Sequence, residues 1–150
     1  MLCVNTVEDT VKWFDSAKPN PSDKDRSTQI GVHIEETAEF LQELKTDDKD
    51  INSLIYDTID QLELLATALK NSDITINFKS RTNVLDALCD QIITAVGVAQ
   101  SNSMNIIAGL NEVNRSNFSK FDDDGRPVLD INRKIIKSSN YTKPELSLMV

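Results

Sequence analysis

The stretch Ile30-Gly31-Val32-His33-Ile34-Glu35-Glu36-Thr37-Ala38-Glu39-Phe40-Leu41-Gln42-Glu43-Leu44 decides the fold. Ile30, Ile34, Thr37, Ala38, Leu41 and Leu44 recur on one side at helical period, which predicts a helix over about Ser27 to Lys45. Glu35, Glu36, Glu39 and Glu43 fall in one arc on the other side, with Glu35–Glu39 and Glu39–Glu43 as direct i,i+4 neighbours. No Lys or Arg interrupts that arc. Each like-charge pair at this spacing costs ~0.2–0.5 kcal/mol, so unrelieved repulsion points to a cation that belongs there.

Working outward, a shorter helix is expected over about Val7 to Asp15, with Thr6 as its N-cap, before the polar, proline-containing Lys18 to Ser22. Downstream, Ile51 to Lys70 carries an apolar stripe of Leu54, Ile55, Ile59, Leu62, Leu65, Ala66 and Leu69. The segment Asn71 to Arg81 is a connector, in which the alternation Ile74-Thr75-Ile76-Asn77-Phe78 suggests a short extended piece. A fourth helix is expected over about Asn83 to Gln100 and a fifth over about Asn105 to Ser116. After Lys120, Asp122-Asp123-Asp124-Gly125-Arg126-Pro127 is a turn that lacks the alternating ligands of an EF-hand loop. With four Gly and four Pro in 150 residues, turns are too few for a many-stranded β fold. The expectation is a single all-α domain over 1–150, a four- to five-helix bundle with its helical core over about 6–118 and an irregular C-terminal tail over 119–150.

Composition narrows the function. A formal net charge of −8 opposes a general nucleic-acid binder, whose affinity rests on Lys and Arg against phosphates. No apolar run approaches the ~20 residues of a membrane span, and the start shows no basic leader, so a cytoplasmic protein with no membrane partner is expected. Cys3 and Cys89 make no disulfide framework, and one histidine, His33, with two scattered thiols cannot build a zinc or ferritin-like di-iron site. Any metal chemistry must use oxygen ligands. The fourth helix offers Asp86 and Asp90 one turn apart, in a segment apolar nearly all round (Leu85, Leu88, Ile92, Ile93, Ala95, Val96, Val98). A helix of that kind is expected to be buried, and buried carboxylates are paired or bind metal. The third helix carries its own pair, Asp57 and Asp60, expected to face solvent. Acids from two helices suit Mg²⁺, or Mn²⁺ in its place, with the shell completed by water and polyphosphate oxygens.

These residues resemble the all-α nucleoside triphosphate pyrophosphohydrolases, in the MazG-like and phosphoribosyl-ATP pyrophosphohydrolase-like branch. Glu35-Glu36-Thr37-Ala38-Glu39 matches that family's Glu-Glu-x-x-Glu, and Leu85-Asp86-Ala87-Leu88-Cys89-Asp90-Gln91-Ile92 is similar to its second acidic motif, with Ala87 where the family spacing has a carboxylate. Glu112 to Lys120 resembles the end of the last helix in the MazG-like branch, and Arg133 to Pro144 its extension. The resemblance implies Mg²⁺-dependent hydrolysis of a (deoxy)nucleoside triphosphate to monophosphate and pyrophosphate. Glu36, Glu39, Asp86 and Asp90 would hold metal, and Glu35, with Glu36 beside it, would serve catalysis by orienting or deprotonating the attacking water. Asn117 and Lys120 at the end of the fifth helix, and Lys137 and Tyr141 in the tail, are the substrate-binding candidates, with Arg133, Lys134 and Lys143 as further tail cations. A catalytically silent helical binding protein on the same scaffold is the alternative. Apolar residues on the acid-bearing sides, such as Val32 and Ile93, predict a homodimer or dimer of dimers.

Overall fold

The computed structural model describes residues 6–72, 74–130 and 135–150. Cys3, Arg133 and Lys134 lie outside them. The described chain is all-α, with five helices: α1 (Thr6–Ala17), α2 (Asp23–Gln42), α3 (Lys49–Asn71), α4 (Arg81–Ser101) and α5 (Ile106–Phe118). The connector around Ile74 to Phe78 forms no strand. Its short alternation has no neighbouring strand to pair with. The helices fall into two compact units, residues 20–79 and residues 1–19 with 80–150.

Residues 20–79 form an antiparallel hairpin of α2 and α3. Helix α2 starts four residues before the periodic pattern suggests, because Ser22 caps it with a reciprocal box. The Ser22 hydroxyl accepts from the Asp25 N–H, and the Asp25 carboxylate accepts from the Ser22 N–H. Asp48 caps α3 by accepting from the N–H groups of Asp50 and Ile51. The far end of α3 is closed by Lys24, whose ammonium donates to the carbonyls of Lys70 (2.6 Å) and Ser72 (2.7 Å).

The seam of the hairpin is built from small residues. Ser27, Gly31 and Ala38 of α2 are buried against Ile59, Ala66 and Leu69 of α3. A Cβ on Gly31 would lie 2.9 Å from the Ala66 carbonyl oxygen and 2.8 Å from Cγ of Lys70, so only glycine permits this approach. Ser27 is fully buried, and its hydroxyl is satisfied by the Lys24 carbonyl at 3.1 Å.

In the other unit, α1 packs on α5. Buried Asn114 accepts from the Thr10 hydroxyl (3.0 Å) and donates to the Thr6 carbonyl (2.8 Å). Trp13 stacks on buried Phe121, with ring centroids 5.9 Å apart. The tail lies along α5: the Ser116 hydroxyl donates to the Thr142 carbonyl, and Ser138 donates to the Phe121 carbonyl. Asp122 to Gly125 is a turn closed on the Asp122 carboxylate, with Gly125 at φ +71.

Helix α4 departs from expectation. Its apolar pattern predicts burial, yet Ala99 is its only buried residue, and Ile92 and Ile93 stand 54% and 66% exposed. Asp86 and Asp90 are therefore on an exposed helix, not at the mouth of a buried one. Periodicity states what a helix can bury. Which neighbour covers it is a separate matter.

Candidate functional site

Glu35, Glu39 and Gln42 follow one another along a flank of α2, and Glu63 and Thr67 do the same along α3. The hairpin sets these flanks side by side, lining one groove of ≈ 240 Å³ whose floor includes Ala38 and Ala66. The two alanines are each 1% exposed, so the helices approach closely beneath the acids. A shallower depression continues along α3 past Asp60, Glu63 and Thr67.

Two polar bridges cross the groove. The Lys70 ammonium pairs with the Glu35 carboxylate. One turn beyond Glu39, the Gln42 amide donates to Glu63 at 2.8 Å. Neither bridge uses Glu39, which stays exposed between them. The Lys70 stem runs over Gly31, in the space a Cβ there would take, so the glycine that allows close packing also lets the lysine reach Glu35. Three carboxylates, Glu35, Glu39 and Glu63, thus face a single bridging ammonium, and the groove is acidic.

Glu36 lies on the same helix, further round and exposed. Asp57 and Asp60 are exposed on α3, as expected, although Asp60 also borders the groove's extension. His33, at the edge of the α2 stripe, is exposed. Asp86 and Asp90 belong to the unit containing α4. The substrate candidates in that unit form two pairs. Lys120 donates to the Asn117 amide oxygen at 2.8 Å, and the Lys137 ammonium lies 4.5 Å from the Tyr141 ring centroid.

Among the described residues no group of three or more His, Cys, Asp or Glu side chains is placed to hold a metal ion. The groove's donors are nevertheless all oxygen, the chemistry a hard cation takes. Mg²⁺ is commonly held through one or two carboxylates, its other positions filled by water and phosphate. The residues present fit an ion bound in that way.

Sequence reasoning missed Glu63, Gln42, Thr67 and Lys70. Their signal was present: Asp60, Glu63 and Thr67 recur at i, i+3 and i+7 on the side of α3 away from its stripe of Leu54, Leu62, Leu65 and Leu69. Without the register of the hairpin, nothing linked that side to Glu35 and Glu39. No known family model, curated protein or solved structure matches the chain.

Proposed function

We propose that the chain is a Mg²⁺-dependent nucleoside triphosphate pyrophosphohydrolase, acting at the acidic flank of α2. The observation that carries this reading is Glu39, exposed between two cross-helix bridges in a carboxylate-lined groove. A groove of that charge repels a bare polyphosphate and accepts one only with its divalent cation.

Mg²⁺, when bound, would supply neutralisation of phosphate and leaving-group charge. Glu39, from the groove, and the adjacent Glu36, as the sequence resemblance implies, would hold the ion through carboxylate oxygens. Glu35 is held in place by Lys70, which leaves its second oxygen to orient a water and accept its proton. Asp86 and Asp90 as further metal ligands, and Asn117, Lys120, Lys137 and Tyr141 as nucleotide contacts, are carried by the sequence resemblance alone.

The test is pyrophosphate release from dUTP, dCTP and purine triphosphates with Mg²⁺ and with chelator. Turnover that stops with chelator supports the reading. A second reading, a catalytically silent helical binding protein, is favoured by the absence, among the described residues, of a three-ligand metal group and by the engagement of Glu35 with Lys70. It takes over if no nucleotide is hydrolysed.

A further inference from the structure

Among the described residues, no Lys or Arg lines the acidic groove, and the ammonium that reaches it is that of Lys70. Three features fix that side chain. At its backbone, Lys24 donates to the Lys70 carbonyl (2.6 Å) and to that of Ser72, which ties the last turn of α3 to the start of α2. Along its stem, Cγ lies over Gly31, 2.8 Å from the place a Cβ there would take. At its head, the ammonium pairs with Glu35, and the lysine side chain is only 25% exposed. A surface lysine normally carries its charge in water on a flexible stem. This one is held at the groove. An ion pair so near to water adds little to stability, so its main consequence is electrostatic.

The charge balance follows from these contacts. Glu35, Glu39 and Glu63 bring three negative charges to the groove, Lys70 returns one positive charge, and the Gln42 amide that bridges to Glu63 is neutral. Two negative charges remain, the complement of one divalent ion. We infer that Lys70 is the groove's resident counter-ion, which keeps its hold on a bare divalent cation weak so that the metal enters together with a polyphosphate. The inference rests on the reading of the groove as a Mg²⁺ site. Without the ammonium, the Glu35 charge would stand unopposed one helical turn from Glu39 and draw the bare cation in. An ion already neutralised by three carboxylates has less charge to offer phosphate oxygens. With Lys70 in place, Glu35 is spent on the protein's own cation and that attraction is kept for the substrate.

Mn²⁺ binding without nucleotide, read from the free-ion electron paramagnetic resonance signal, tests this. Lys70→Met keeps the stem over Gly31 and removes the charge, so Mn²⁺ should bind about tenfold more tightly than to the wild type. Lys70→Arg keeps the charge and should bind as the wild type does. Glu35→Gln leaves the ammonium unopposed and should bind about tenfold more weakly, and Lys70→Met with Glu35→Gln should return to wild-type affinity. Circular dichroism shows which variants fold, and Lys70→Gln, with the same expectation, replaces a Lys70→Met that does not. A lysine that only organised the groove would give the opposite sign. Unchanged or weaker Mn²⁺ binding on loss of the Lys70 charge, a double variant that keeps the gain, or no binding to either wild type or variant would overturn the assignment. Hydrolysis is measured apart. A chain that cleaves no nucleotide yet shows the gain loses the enzymatic reading and keeps this one, whereas a working hydrolase without the gain loses this one alone.

Discussion

Helices α3 and α4 are both long and rich in Leu, Ile and Ala, yet α3 buries Ile59, Ala66 and Leu69 while α4 buries only Ala99. The difference lies in what faces them. Against α3 stands a strip of Ser27, Gly31 and Ala38, small enough for backbones to meet and for Lys70 to pass over. Helix α4 has small residues of its own, but nothing lies within 4 Å of the place a Cβ on Gly97 would occupy. Apolar content supplies the tendency to pack, and complementary relief on a neighbour turns it into burial.

The sharpest break in that comparison is chemical. Glu39→Gln keeps the volume and removes the charge, so turnover with Mg²⁺ should fall by orders of magnitude. Melting without metal should hold or rise, since two like-charge neighbours, each costing ~0.2–0.5 kcal/mol, are relieved. Activity within a few-fold of wild type would remove Glu39 from the site.

The second test sets one helix against the other. Asp90→Asn should abolish turnover, as the α4 motif implies, and Asp60→Asn should leave it nearly intact. Glu63→Gln should cost a few-fold, because it weakens the bridge from Gln42. An active Asp90→Asn with an inactive Asp60→Asn or Glu63→Gln would confine the site to the hairpin and make the α4 aspartates ordinary surface residues. Steady-state kinetics of the three variants decides it.

A third pair compares the helices by stability alone. Gly31→Ala places a methyl against the Ala66 carbonyl oxygen and should destabilise by ~1–3 kcal/mol, as overpacking does. Gly97→Ala meets open space and should stabilise α4 by ~0.5–1 kcal/mol, through the lower chain entropy of alanine. Thermal melts of both measure the contrast. Loss of stability at Gly97 would mean that something covers that face in solution.

The smallest expected effect is on the tail. Glu112 accepts from the Arg115 guanidinium and from the Glu145 N–H, and the arginine first, then the backbone donor, hold its pKa down to about 2 from 4.5. A depressed carboxylate favours the docked tail fully above its ordinary value, and that contribution fades as pH falls from 4.5 through about 2. Hydrogen exchange at the Glu145 amide should quicken beyond the intrinsic trend over that window. In Glu112→Gln the pH dependence should vanish.

All five helices were legible along the chain, because the 3.6-residue period of Ile, Leu and Ala survives without any knowledge of neighbours. Their ends were less so. Ser22, Asp48 and Ser80 cap helices that begin two to four residues before the apolar pattern does. The acidic arc of α2 was equally plain, since Glu35, Glu36, Glu39 and Glu43 lie within ten residues and their like-charge spacing is a local property. Whatever joins distant residues was not readable. That α3 answers α2 with Glu63, Gln42 answers Glu63, Lys70 reaches Glu35 across Gly31, and α4 stands exposed depends on register and on which surfaces meet. Helix periodicity and charge spacing act over one or two turns and are written in the chain. Burial and cross-helix pairing act between segments far apart in sequence, so only the tertiary structure decides them.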